Sequence, residues 1–152
     1  MQRISFQEAH QDLFKGMFTN QNLLHESKLD HGLFKLINLR VSQINQCAYC
    51  LDMHYKEAIA AGESATRLSM LAAWEESAAF NAEEMAVLRF AENLTLTHQG
   101  ALREDIYSQL EHHFDKEEIS ILTLAVVQIN SWNRLMKTFG IPAGKYEVGQ
   151  YA

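Results

Sequence analysis

QINQCAYCLDMHYKEA, residues Gln43–Ala58, is the stretch on which the reading of this chain turns. It holds the only two cysteines, Cys47 and Cys50, three positions apart, with His54 four positions beyond the second. At about 100° per residue the three side chains share a helical face about 60° wide. Two thiols and an imidazole on one helical face form a dithiol/disulfide centre with its own proton acceptor.

The flanking sequence is helical too. Asp30 opens a helix whose Leu33, Leu36, Ile37, Val41 and Ile44 follow the spacing of an apolar face, and Asn45-Gln46 ends it. The cysteines begin the next helix, which runs to Ala61, and Gly62 supplies its left-handed stop. Towards the N-terminus, Ser5 caps a first helix to about Phe18, and residues 20–26 form a short second segment. Arg67 to Trp74 forms a further helix. Asn81 with Glu84, and Asp115 with Glu118, are capping-box signatures. They open helices over Glu83 to Thr95 and from Asp115 to about Phe139, with Leu102 to Phe114 between them. Nowhere does a convincing period-2 alternation occur. The expectation is an all-α single domain over residues 1–152, with about seven or eight helices.

Composition agrees. One proline and seven glycines give little punctuation for a many-stranded fold, and 152 residues make one ordinary domain. A net charge of −6 with no basic cluster disfavours nucleic acid or an anionic membrane as partner. The first residues lack the continuous apolar run of a secretory signal, and Ile119 to Ile129 falls short of the roughly 20 residues of a membrane span. These features point to a cytoplasmic protein. A cysteine pair so close in sequence, in a reducing compartment, is a poor structural disulfide.

A thiol attacks only as the thiolate. The positive end of a helix favours the charge on Cys47, and His54, one turn after Cys50, can accept the Cys50 proton. Cys50 is therefore expected to be the His-activated, peroxide-attacking thiol, and Cys47 the dipole-stabilised partner that closes the disulfide. Other readings stay open: half of a zinc site, completed by Asp52, His112 or His113, or two inert buried thiols. A thioredoxin-type centre needs a strand before its helix. Glu57, three residues past His54, reads as a solvated charge or as a modulating carboxylate for the site, Trp132 and Trp74 as core or subunit-contact residues, and Asn130 and Asn133 as groups that order a neighbouring loop. Hydrolase and nucleotide-binding signatures are absent, and nothing calls for a cofactor.

LRVSQINQCAYCLDMHYKEA (residues 39–58), Gly62-Glu63, LAAW (71–74) and INSWNRL (129–135) resemble the alkylhydroperoxidase AhpD-like branch of the carboxymuconolactone decarboxylase family. The resemblance implies an all-α domain, commonly assembled as trimers or hexamers. It implies reduction of hydroperoxides by the dithiol, with regeneration by a thiol or lipoyl-type donor. The family's catalytic positions fall on Cys47, Cys50 and His54. Two positions depart from the pattern. Lys35 stands where relatives carry a glutamate that feeds the proton relay, and its charge is expected to favour a thiolate. Gln46 stands where they commonly carry glycine. A cysteine pair is not what lactone decarboxylation requires, so that half of the family name transfers no function. A non-catalytic redox sensor, or a structural oligomer, is the alternative.

Overall fold

The computed structural model describes residues 2–150 as an all-α domain of seven helices: α1 Gln11–Glu26, α2 His31–Ile44, α3 Ala48–Ala60, α4 Ala65–Met70, α5 Ala82–Thr95, α6 Glu104–Glu111 and α7 Lys116–Phe139. Residues 1, 151 and 152, the ends of the expected domain, lie outside the described residues. Two 3-10 segments, Leu71–Glu76 and Thr97–Gln99, link helices. No described helix is long and apolar enough to cross a membrane.

The caps act where the sequence places them. Asp30 accepts from the Gly32 N–H at 2.8 Å, and the boxes Asn81/Glu84 and Asp115/Glu118 are each closed in both directions. Such caps satisfy amide groups that otherwise lack partners in a first helical turn, each stabilising by about 1 kcal/mol. After α3, Gly62 takes φ +92°, and Gly140 ends α7 at φ +68°.

Four boundaries differ from expectation. Ser5 and Glu8 do bond reciprocally, but the turn they close stops there because His10 is extended. Gln11 Nε2 then donates to the carbonyls of Phe6 and Ala9, which a continuing helix would have used. The helix that follows, α1, runs unbroken through Asn20, since α7 holds it from outside. Gln128 Nε2, on a buried side chain, donates to the Met17 carbonyl at 2.7 Å. The segment expected as one helix to Trp74 kinks at Ala73 (φ −126°, ψ 39°) into the first 3-10 segment. There Trp74 Nε1 donates to Glu92 Oε1 at 2.6 Å, and Arg40 holds the same oxygen. The helix expected over 102–114 is shorter, ending in a turn where the His113 and Phe114 N–H groups both bond the Leu110 carbonyl.

α2 is the central rod. Leu33, Ile37 and Val41 pack against Val87, Phe90, Leu110, Leu122 and Val126 in the main core between α5, α6 and α7. Its other face sends Leu36 and Leu39 towards Leu71, Trp74 and Leu88. A third cluster joins Phe14 of α1, Met136 and Phe139 of α7, and Cys47, Tyr49 and Cys50. The cysteines are thus the floor of a junction between α1, α3 and α7, with α2 leading the chain into it.

Candidate active site

The site begins at a strained corner. Gln46, exposed between α2 and α3, sits at φ +52°, the left-handed region that costs a side-chain-bearing residue about 1–2 kcal/mol. The turn is held nonetheless, by a polar tie from α7. Asn45 Nδ2 donates to Asn133 Oδ1 at 2.9 Å and to Asn130 Oδ1 at 3.0 Å, and Lys137 Nζ donates to the Asn45 carbonyl at 2.7 Å. Asn133 is fully buried. Its Nδ2 donates to Ser42 Oγ at 3.0 Å, and its amide also hydrogen-bonds the Cys50 sulfur. A buried amide so fully satisfied is a rigid bracket. It fixes the end of α2, the turn and Cys50 against one residue of α7.

Cys47 is the N-cap of α3, extended at φ −94°, ψ 94°, and so lies just outside the helix. The common-face arithmetic therefore holds for Cys50 and His54 but not strictly for Cys47. The turn nonetheless brings the sulfurs to 2.6 Å, both as free thiols and both buried. Disulfide formation needs only a small side-chain adjustment.

The two thiols are electrostatically unequal. Cys47 is brought down to about 7, first by the hydrogen bond from Cys50 and, against the cost of burial, by the Cys50 N–H, the Lys137 charge and the Tyr49 N–H. Those amides act as dipoles, since neither makes a formal capping bond to the sulfur. Cys50 is pushed far above the usual thiol range, chiefly because it donates to Cys47 and because it is buried. The dithiol therefore loses one proton near neutrality and holds the second, with the charge resting on Cys47. The charge falls on the thiol at the helix end, and not on the one that His54 follows. Lys35 does not supply the stabilising cation either. It is half-buried on α2 and makes no hydrogen bond or ion pair with a described residue, whereas Lys137 acts on Cys47.

His54 is half-buried one turn beyond Cys50, and loss of solvent takes its pKa down to about 4, opposed by the charge of Glu57. It is therefore neutral near pH 7: a proton acceptor, not an imidazolium partner for a thiolate. Glu57 is not a solvated charge. It accepts from the Tyr146 hydroxyl and, at 3.2 Å, from the Gly149 N–H. Asp52 holds the same C-terminal segment through the Gly144 N–H at 2.8 Å, and Lys56 through the Tyr146 carbonyl at 2.9 Å. His112 and His113 lie apart, exposed at the end of α6. Among the described residues, no three His, Cys, Asp or Glu side chains gather into a metal-holding group.

A cavity of about 470 Å3 opens over this floor. Cys50 and His54 line it, and Cys47 does not. Its walls are Phe6, Phe14, Phe18, Tyr49, Met53, Trp132 and Met136, with Gln11, Gln21 and Asn22 as polar members. Trp132 is thus a wall of the site and not only packing. Phe14 stacks against it (centroids 6.3 Å apart, 14° between planes), and Phe18 leans on it at 5.8 Å. Sequence spacing did not single out Phe14, Phe18 or Lys137. The tie from α7 was visible only as two asparagines suited to ordering a loop.

Residues 9–93 match the carboxymuconolactone decarboxylase family. The uncharacterized protein YdfG of Bacillus subtilis is 35% identical over 139 residues, covering 91% of this chain and 95% of its own length. A structure from Agrobacterium tumefaciens, of a protein of unknown function offered as a candidate antioxidant defence protein AhpD, superposes with a TM-score of 0.91 at 33% identity. It covers 96% of this chain and 100% of that one. A peroxidase-related protein of Ralstonia eutropha, described as an alkylhydroperoxidase AhpD core, shares the fold at a TM-score of 0.77 and 21% identity, covering 90% of this chain and 73% of that one. On its sequence and its fold alike, the chain belongs to the AhpD-like branch of the carboxymuconolactone decarboxylase family.

Proposed function

We propose that this protein is a thiol-dependent peroxidase that reduces hydroperoxides through Cys47 and Cys50. The observation that carries this reading is the division of labour between the sulfurs. Cys50 and His54 face an apolar cavity, while Cys47 lies directly behind Cys50 and stores negative charge near neutral pH.

The chemistry follows from that division. As the Cys50 sulfur attacks the terminal oxygen of ROOH, its proton passes first to the Cys47 thiolate to which it already donates, and from there through His54 towards the leaving oxygen. An S–O bond forms, the O–O bond breaks, and the departing alkoxide receives the proton from His54 and leaves as ROH. Cys50 is then a sulfenic acid with a thiolate at its back. Cys47 attacks the Cys50 sulfur, hydroxide leaves, and the disulfide closes before further oxidation. The peroxide has gained the two electrons the dithiol has lost. An external dithiol, of lipoyl or similar type, returns them by exchange through a mixed disulfide.

In a steady-state assay with a hydroperoxide and dithiothreitol, the protein should turn over repeatedly, and Cys47→Ser and Cys50→Ser should each abolish turnover. His54→Ala should lower the rate by about 10²–10⁴-fold. One stoichiometric oxidation to the disulfide without sustained turnover would defeat the enzyme reading and favour a redox sensor. Lys35, in place of the family's glutamate, makes that outcome the rival to watch.

A further inference from the structure

The cavity says more about the organic group than about the peroxide bond. Hydrogen peroxide, not much larger than a water of about 30 Å3, would occupy a corner of about 470 Å3. A space of this size suits a molecule of several carbon atoms. Its wall is also unusually rich in π faces. Trp132 is half-buried, backed by Phe14 and flanked by Phe18, while Phe6 packs on Phe14 at 5.6 Å. Phe18 remains 47% exposed, a cost in water that an apolar ligand at the mouth would relieve. The amides of Gln21 and Asn22 stand at the same mouth, exposed and without a hydrogen-bond partner among the described residues.

We infer that the site selects hydroperoxides that carry an aromatic ring, seated against Trp132 and Phe18 with the peroxide group directed to Cys50. This rests on the peroxidase reading for its chemistry but makes a separate claim about recognition. Stacked and edge-to-face ring contacts add to what area alone gives, so a ring should be preferred over a saturated group of equal size by about two- to tenfold. A wall built only for greasiness would show no such preference.

The test compares kcat/KM for cumene hydroperoxide with that for its ring-saturated analogue, 2-cyclohexylpropan-2-yl hydroperoxide, with hydrogen peroxide as the small reference. Alongside it, calorimetry measures binding of the two product alcohols to the reduced protein. The aromatic member should be favoured in both, and hydrogen peroxide should be the poorest substrate. In Trp132→Leu and Phe18→Leu the ratio between ring and saturated partner should fall towards one. A ratio survives a general loss of activity, and exposed Phe18 provides a variant that does not disturb the core. If hydroperoxides turn over and the wild-type ratio is already one, or a linear hydroperoxide outruns cumene hydroperoxide, the recognition claim is overturned and the peroxidase reading stands. If none turns over but the aromatic alcohol binds preferentially, the peroxidase reading fails and the recognition claim stands. Absence of both defeats both.

Discussion

The unequal thiols should leave a signature in folding stability. In the unfolded chain both cysteines titrate near 8.5. In the fold, Cys47 is lowered to about 7 and Cys50 is raised above its usual range. Between about pH 7 and 8.5 the native dithiol therefore holds one proton and the unfolded chain two, so stability rises with pH. At 1.36 kcal/mol per unit the rise is about 2 kcal/mol, and it is lost again as pH falls through about 7. Above about 8.5 the unfolded chain sheds both protons while Cys50 keeps its own, so the slope reverses. Reduced protein should show a stability maximum close to pH 8.5, measured by urea unfolding from pH 6 to 10 with a phosphine reductant. The reference is Cys47→Ser/Cys50→Ser, whose packing loss is the same at every pH and cancels in the shape of the curve. A wild-type-minus-variant difference flat across that range would refute the shared-proton picture, and with it the store of charge on Cys47.

Three further outcomes are expected. Lys137→Gln should raise the pKa of Cys47, followed by ultraviolet thiolate absorbance, while Lys137→Arg should keep it low; equal effects from both would show that the charge is irrelevant. Gln46→Gly should stabilise the protein by roughly 0.5–1 kcal/mol in chemical denaturation, the relief of left-handed strain less the entropy glycine adds to the unfolded chain. Light scattering should report a homo-oligomer, since Leu13, Leu23, Tyr55, Ile59 and Val127 are all more than a third exposed; a mass near 17.4 kDa across micromolar concentrations would contradict it.

What was legible in the sequence was local. The caps at Asp30, Asn81 and Asp115, and the stop at Gly62, act within four residues, and each marks its helix as read. Where a distant partner overrides a local preference, the reading slipped. Ser5 lost its helix to Gln11, Asn20 failed to break α1 because Gln128 holds it, and Trp74 was drawn into a kinked turn by Glu92. The site divides the same way. The spacing of Cys47, Cys50 and His54 is a local fact. The inequality between the thiols comes chiefly from the hydrogen bond between them and from burial, and is helped by Lys137, more than 80 residues away, which no helical wheel around Cys47 includes. One residue also mattered greatly. With Cys47 at the N-cap and not within the helix, its sulfur meets free amides instead of a third position on the face of Cys50.

On the proposed reading, that one-residue offset lets a buried dithiol be both charged and selective. A thiolate opening directly on an apolar cavity would pay for its desolvation and attract water or small oxidants into the same space. Here the charge lies behind the cavity, beside helix amides and a surface lysine, and the sulfur that lines the cavity is held protonated. Attack by Cys50 then requires its proton to leave for His54 or Cys47. His54 is neutral because its burial, against the charge of Glu57, keeps it so. A ligand filling the cavity strengthens that condition by excluding more water. The apolar wall and the proton relay are in this sense one device, and the carboxylate absent at Lys35 is offset by a thiolate that is itself a base. On this argument, polar substitution at Trp132 should do more than weaken binding: by wetting the cavity it should raise the pKa of His54 towards its ordinary value. Trp132→Gln examined by NMR titration of His54 should show that rise, and an unmoved His54 would separate the wall from the relay.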